Sequence, residues 1–260
     1  MKSQSDSLGS TIKVLLVIPV YNEERFIEQS VTDLQRHILE EPLLRKKYNF
    51  SILLAEDGST DATLNILLGL STRYDNIVIR HYSDKLGRGK AIKNAWNSAD
   101  ADIYAYFDAD MPVKLTHLST LIESCSNQEY DLVTGSRYVE GSIVNRPPLR
   151  NIVSKAYNLL VRFLFKTGIK DHQCGFKAVK RKMRDLIIRQ SVFDDWFWDT
   201  EMFVIARRNG LCVLEFPVKW EETRTKRTCV RRLLNDILIH GSDIVRLLIK
   251  DKIEAARHHS

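Results

Sequence analysis

Apolar and polar positions alternate in blocks through the first half of the chain. Short runs rich in Ile, Val, Leu, Phe, Tyr and Ala occupy residues 12–20, 50–55, 76–81, 102–107 and 131–134, with helical patterns between them. Runs of this length, bounded by polar or glycine-bearing breaks, predict parallel strands joined by crossover helices. The breaks are Tyr21-Asn22-Glu23, Glu56-Asp57-Gly58-Ser59-Thr60, Ser83-Asp84-Lys85-Leu86-Gly87, Asp108-Ala109-Asp110 and Gly135-Ser136-Arg137. Ligands of open α/β sheets bind beyond the carboxyl ends of the strands, so these five loops are expected to converge on one crevice.

The pattern changes after Gly141. A Pro147-Pro148 break precedes a helical stretch over residues 150–166, where Ile152, Val153, Ala156, Leu159, Leu160, Phe163 and Leu164 make a broad apolar face. Lys155, Arg162 and Lys166 fall within about 40° of one another on the same helix. A second helix, over 230–250, sets Leu234, Ile237, Leu238, Val245 and Leu248 against Arg231, Arg232, Arg246 and Lys250. Two readings fit such helices: packing on the sheet with a solvated cationic edge, or interfacial contact with a membrane. The longest apolar stretches are interrupted by charge within about ten residues, short of the roughly 20 that spanning requires. The expected division is a flexible N-terminus (1–11), a main α/β domain (12–228) and a C-terminal amphipathic helix with its tail (229–260).

Composition narrows the chemistry. At 260 residues and 44% hydrophobic content the chain is sized for one large α/β domain. A net charge of +6 and a pI near 9.1 favour phosphate-bearing partners: sugar nucleotides, anionic lipid surfaces or nucleic acids. Cys125, Cys174, Cys212 and Cys229 form no CxxC pair, which points to a reducing, cytosolic setting without a zinc site or disulfide framework. The first eleven residues are polar and Ser-rich, unlike a secretory signal, so the expected location is cytoplasmic, at the periphery of a membrane's cytoplasmic face.

Asp108 and Asp110, two apart at a strand end, suit a hard divalent ion such as Mg²⁺ or Mn²⁺, which would bridge diphosphate oxygens. Taken alone the pattern is weak, since an Asp in that place more often just caps the next helix. In the Glu56–Asp61 stretch a turn and an N-cap account for Gly58 onward, whereas Asp57 is placed to accept hydrogen bonds from a base or ribose. Lys85-Leu86-Gly87-Arg88-Gly89-Lys90 sets glycines and cations before a helix, where backbone N–H groups and positive charge meet phosphate. Its spacing matches neither the P-loop nor the dinucleotide fingerprint.

Ile18-Pro19-Val20-Tyr21-Asn22-Glu23-Glu24, Glu56-Asp57-Gly58-Ser59-Thr60-Asp61 and Asp108-Ala109-Asp110, in that order and spacing, resemble family 2 glycosyltransferases. Those are inverting enzymes with a Rossmann-like glycosyltransferase A-type α/β fold, a mostly parallel central sheet flanked by helices. Gly135-Ser136-Arg137-Tyr138, Arg150-Asn151-Ile152-Val153-Ser154, Asp171-His172-Gln173-Cys174-Gly175-Phe176-Lys177 and Trp198-Asp199-Thr200-Glu201 look like the polyprenyl-phosphate branch, the dolichyl-phosphate glucose and mannose synthases.

The resemblance implies that Pro19, Tyr21, Glu23, Asp57 and Lys85 hold the nucleotide, with Asp108 and Asp110 on the metal and diphosphate. It also implies that Arg137, Arg150 and Ser154 grip the acceptor phosphate, with Arg224 as a further contact. The mannose branch commonly carries a third ligand, often Gln, two residues after the second Asp; Pro112 stands there instead. Lys114 and the Trp196/Trp198-Asp199-x-Glu201 segment look closer to the glucose branch, which favours UDP-glucose over GDP-mannose. Many relatives append transmembrane helices, so this chain is expected to reach dolichyl or polyprenyl phosphate through amphipathic surfaces.

The implied reaction is displacement at the anomeric carbon by a lipid phosphate oxygen, with Arg137 and Arg150 orienting the anion and metal at Asp110 steadying the leaving group. A phosphate monoester is largely dianionic at pH 7 and needs little help from a base. Asp171 and Glu201 are candidates for sugar contact, for framework, or for the base that a hydroxyl acceptor in polysaccharide synthesis would require. Trp196 and Trp198 either pack in the core or stack on sugar. Outside the enzymes, a module that binds anionic membranes or nucleic acid would use the basic helices but leave the acidic loops without a purpose, so nucleic acid is not an expected partner.

Overall fold

A computed structural model describes residues 11–222 and 241–250. The N-terminal segment, Arg224, Cys229 and the 230–240 part of the second amphipathic helix lie outside them.

The elements, in chain order, are β1 (Ile12–Val20), α1 (Ile27–Glu40), α2 (Pro42–Lys47), β2 (Tyr48–Asp57), α3 (Thr63–Arg73), β3 (Ile77–Tyr82), α4 (Arg88–Asn97), β4 (Ile103–Phe107), α5 (Leu118–Ser126), β5 (Leu132–Ser136) and β6 (Ile143–Asn145). They continue with α6 (Pro148–Phe165), β7 (Phe176–Lys180), α7 (Arg181–Gln190), α8 (Trp198–Arg208), β8 (Val213–Pro217) and β9 (Lys219–Glu221). Residues 241–250 are helical. A seven-stranded sheet runs in the order β3-β2-β1-β4-β7-β5-β8, with β7 antiparallel to both neighbours and every other pairing parallel. β6 and β9 form a small parallel pair beside it.

Strand periodicity of two divides the core into layers. Val14, Leu16 and Ile18 of β1 pack with Ile27, Val31, Leu34 and Ile38 of α1 on one face. Leu15 and Val17 meet Ala91, Ile92, Ala95 and Trp96 of α4 and Met202 and Phe203 of α8 on the other. Both faces of the central strands are covered, which is why they read as nearly continuous apolar runs. The five expected strands are present, and β2 extends two residues past its apolar run, carrying Glu56 and Asp57 inside the strand.

β7 escaped sequence reading. Phe176-Lys177-Ala178-Val179-Lys180 carries two lysines, and Lys177 is fully buried only because a distant carboxylate receives it. The strand inserts against the direction of its neighbours, so the sheet is mostly, not wholly, parallel.

α6 departs further. Its inward positions are Ser154, Asn158, Val161 and Phe165, whereas Leu149, Ile152, Leu159, Leu160 and Phe163 face outward, Phe163 being 78% exposed. The apolar face seen in the sequence is therefore not the face packed on the sheet. Asn158 earns its inward place by accepting from the His172 backbone N–H at 2.8 Å and meeting His172 Nδ1 at 2.8 Å, while Thr167 Oγ1 meets Nε2 at 2.8 Å.

Burial holds the His172 pKa down to about 3, against the opposing pull of Asp171, so the ring is neutral in the folded chain. The unfolded ring titrates near 6.5, so its contribution is fully present above about 6.5 and is lost as pH falls toward 3. The chain should lose about 2 kcal/mol of stability through this one group between pH 7 and pH 5. Urea denaturation of wild type and His172→Gln at both pH values checks this; identical losses in the two proteins would contradict it.

Candidate active site

β1 through β5 point the same way, which brings the loops after β1, β2, β3, β4 and β5 to one edge of the sheet, as the sequence pattern requires. β1 is flanked by β2 on one side and β4 on the other. The chain order reverses there, and crevices form at such points.

The first two loops are laced together. Asn22, in the left-handed region at φ 54°, donates its N–H to Ser59 Oγ at 2.9 Å and accepts from the Thr60 N–H at 2.8 Å. Glu23 is buried, and its carbonyl accepts from Phe26 and Ile27 at the start of α1. Glu56 turns back on the Ser59 N–H and on His81; burial alone would raise its pKa, but these partners hold it below the ordinary value. Asp57 accepts the Leu86 and Gly87 N–H groups at 2.7 and 3.1 Å, so in this structure it secures the β3–α4 loop. Gly87, at φ 98°, passes so close to the Asp194 carbonyl that a Cβ would lie 2.6 Å from it. The loop so fixed places Lys85 Nζ 3.8 Å above the ring of half-exposed Tyr21, next to half-buried Pro19. Pro19, Tyr21, Glu23, Asp57 and Lys85 thus fall in one region, with Asp57 as the organiser of its backbone.

At the β4 end, Asp108 accepts from Arg88 Nη2 at 2.7 Å, and Arg88 Nη1 binds Asp199. Asp199 also receives Tyr106 Oη and Lys177 Nζ, the latter at 2.7 Å. Lys177 donates to the Cys174 carbonyl as well, at 2.6 Å. Burial pushes the Asp108 carboxyl up, with Arg88 pulling it back. Burial acts the same way on Asp199, but there Arg88 and Lys177 prevail and its pKa is lowered. Two carboxylates and two cations balance in this enclosed cluster, which fixes the rim of the crevice. Gly175 completes it, since a Cβ there would collide with the Asp108 carboxylate.

Asp110 is half-buried and borders a polar groove of about 540 Å³ between α1 and the 111–115 segment. Among the described residues no group of three or more His, Cys, Asp or Glu side chains is gathered as metal ligands. The carboxylates of Asp108 and Asp110 nevertheless fit Mg²⁺ or Mn²⁺, since such ions take one or two carboxylates and fill the remaining positions with water and substrate phosphates.

The third cluster lies between β5, the start of α6 and β9. Arg137 is enclosed by Asp171 through Nε and Nη2, both at 2.7 Å, with the Arg137 N–H on the same carboxylate at 2.9 Å. Its guanidinium lies 4.8 Å over the Trp220 ring. Burial would raise the Asp171 pKa, but Arg137 outweighs it and the net shift is downward. Arg150 Nη1 donates to Glu222 at 3.0 Å, Arg146 Nε to the same carboxylate at 3.2 Å, and Arg146 Nη1 to Ser154 Oγ at 3.0 Å. Arg146 is depressed by burial and by the neighbouring charges of Arg137 and Arg150, which marks these guanidiniums as one crowded cationic site.

The geometry narrows the alternatives left open for several residues. Asp171 is fully buried and accepts from Arg137 and from the Gln173 N–H, so it is no accessible base. Glu201 is fully buried on α8, where its oxygens accept from the Val192 and Phe193 N–H groups and from Lys250; burial raises its pKa, and its role is framework. Arg137 commits Nε and Nη2 to Asp171. Trp198 belongs to the core, 5.5 Å from Trp96 and from Tyr106, whereas exposed Trp196 lies 4.7 Å from the Arg88 guanidinium.

Arg146 and Glu222 were missed, although Arg146 sits four residues before Arg150 and flanks the proline break. Arg88 belongs to the Lys85–Lys90 stretch expected to meet phosphate, but its carboxylate partners, Asp108 and Asp199, come from two other segments of the chain.

The sheet order and the loops at the carboxyl ends of its strands are those of the glycosyltransferase A-type fold. Residues 15–187 match glycosyl transferase family 2, and the chain belongs to that family. It is 41% identical over 236 residues to the glycosyltransferase AglD of Haloferax volcanii, covering 90% of this chain but only 37% of that protein. A dolichyl-phosphate beta-glucosyltransferase of Trichomonas vaginalis is 26% identical, with 95% of this chain and 76% of that protein covered. Among solved structures, mannosyl-3-phosphoglycerate synthase of Rubrobacter xylanophilus superposes with a TM-score of 0.70 at 15% identity, covering 92% of this chain and 75% of that one. Glucosyl-3-phosphoglycerate synthase of Mycobacterium tuberculosis, solved with Mn²⁺, UDP and glucosyl-3-phosphoglycerate, gives 0.62 at 17% identity over 85% of this chain and 75% of that one. These structural likenesses establish the fold.

Proposed function

We propose that the chain transfers glucose from UDP-glucose to the phosphate of dolichyl phosphate or another polyprenyl phosphate, with inversion at the anomeric carbon. The observation that carries this reading is the arginine site at the start of α6, a helix whose outward face is apolar. A cationic cluster at the start of a helix with an apolar outward face matches an acceptor with a phosphate head and a hydrocarbon tail. The dolichyl-phosphate beta-glucosyltransferase relatives support the choice of acceptor and sugar.

The first two loops, with Lys85 over Tyr21, would receive the nucleoside and its phosphates. Asp108 and Asp110 would hold Mg²⁺ or Mn²⁺, which supplies charge stabilisation to the departing diphosphate. Arg88 fixes Asp108, and Arg150, Arg146 and Ser154 would orient the attacking phosphate. That phosphate is largely dianionic at neutral pH and attacks without a base, which agrees with the burial of Asp171 and Glu201. The same burial disfavours a hydroxyl acceptor. GDP-mannose remains the alternative donor, disfavoured by Pro112 in place of a third ligand.

No helix among the described residues is long and apolar enough to cross a membrane. Ile152, Leu159, Leu160 and Phe163 would instead lie in the interface of a cytoplasmic leaflet, each contributing roughly 1 kcal/mol on partial burial. Offered UDP-glucose, the chain should glycosylate a short polyprenyl phosphate and leave the matching polyprenyl alcohol unchanged. It should also float with anionic vesicles at low salt, an association that Phe163→Glu with Leu160→Glu weakens. Product from the alcohol, or no flotation at all, would sink the acceptor and membrane assignments respectively.

A further inference from the structure

We infer that Glu222 is a resident stand-in for the acceptor phosphate, and that Arg146 is a ligand of that phosphate once Glu222 is displaced. The inference rests on the acceptor assignment above and deepens it.

Two kinds of ion pair stand side by side here. Asp171 holds Arg137 in a two-pronged fork at 2.7 Å, with side chains 0% and 3% exposed. Glu222 takes one donor from each of two arginines at 3.2 and 3.0 Å, in a partly open setting where Arg150 is 35% exposed. The first pair is framework; the second lacks the fork that makes Arg–carboxylate pairs strong. Arg146 is held from its other end by Ser154 Oγ, so it stays in place if the carboxylate leaves.

Charge favours exchange. Two guanidiniums, Arg146 and Arg150, share the single Glu222 carboxylate, while Arg137 is matched by Asp171, so the Glu222 site carries an excess of positive charge. A phosphate dianion in place of the Glu222 carboxylate would neutralise the cluster and offer three acceptor oxygens instead of two.

The position of Glu222 gives the exchange a consequence. Its N–H donates to the Asn145 carbonyl at 3.0 Å, and the preceding Glu221 N–H donates to the Pro112 carbonyl at 2.8 Å, two residues beyond Asp110. Trp220 of β9, the strand that Glu222 directly follows, lies under Arg137 and bridges to Val113. β9 thus touches both the acidic turn and the arginine site, and a phosphate that displaces Glu222 acts on the strand that ties them together.

If Glu222 competes with the acceptor, Glu222→Gln should lower the KM for a short polyprenyl phosphate roughly 5- to 10-fold, since fewer molecules hold the site closed. Arg146→Met should raise that KM at least about tenfold through loss of a charged hydrogen bond. Calorimetric binding of the same phosphate without donor should tighten for Glu222→Gln by a similar factor, and this reads the anion site whether or not transfer occurs. If Glu222 merely positions the arginines, Glu222→Gln will bind the phosphate equally or more weakly, and the inference is overturned while lipid-phosphate transfer by the wild type stands. No transfer to lipid phosphate by the wild type would instead remove the acceptor assignment.

Discussion

Asp110→Asn is expected to lower kcat for glucosyl transfer about a thousandfold while leaving the fold and thermal midpoint nearly unchanged. The metal would stabilise the leaving diphosphate by several kcal/mol, and about 4 kcal/mol corresponds to that factor. Asp108 already commits one oxygen to Arg88 at 2.7 Å and lies against Gly175, so its carboxylate serves the framework as well as the ion. Asp110 is half-buried at the rim and lies outside the Arg88 cluster, so its substitution should cost less stability than that of Asp108. Asp108→Asn, by contrast, should lose activity and stability together, because it leaves the Arg88 cluster with excess positive charge. Single-turnover rates with Mn²⁺, compared with melting curves, check the pair. A kcat within tenfold of wild type for Asp110→Asn would remove the metal from the mechanism.

The second large effect is on stability. Asp171→Asn leaves the Arg137 guanidinium buried without its counter-charge and should cost about 3–5 kcal/mol. That is a large share of the roughly 5–15 kcal/mol that holds a typical domain folded. Arg137→Met strands the Asp171 carboxylate in the same way. The double substitution Arg137→Met with Asp171→Leu should recover much of the loss, because it removes both charges and replaces them with apolar volume beside Trp220. Urea denaturation of the two single variants and the double variant measures this directly. Strictly additive losses would mean that the pair is not the closed unit its geometry describes. Lost activity in Arg137→Met should therefore be read only after its stability is known.

The parallel half of the sheet was legible because strands buried on both faces advertise themselves as apolar runs. The convergence of the five loops followed from the sheet rule rather than from any one motif. Three features were hidden for distinct physical reasons. β7 carries Lys177 in its core, and a buried lysine is intelligible only with Asp199, twenty-two residues away, to receive it. For α6 the periodicity was right, yet periodicity does not say which face meets the sheet. Ser154 and Asn158 turn inward because Arg146 and His172 supply their partners. The roles expected of Arg137, Asp171 and Glu201 depended on which donors each side chain had already spent, and spacing carries no such information. Of the second amphipathic helix, residues 241–250 are helical, with Ile244 and Leu247 buried and Val245 and Ile249 exposed, a division its sequence pattern anticipated only in part.

The most direct test of the account is transfer of labelled glucose from UDP-glucose to a short polyprenyl phosphate by the purified chain, with Mn²⁺ present and after chelation. The account predicts a β-linked polyprenyl-phosphate glucose that forms with the metal and vanishes with the chelator. A chain that is folded and metal-loaded but leaves UDP-glucose and the lipid phosphate unchanged would contradict it.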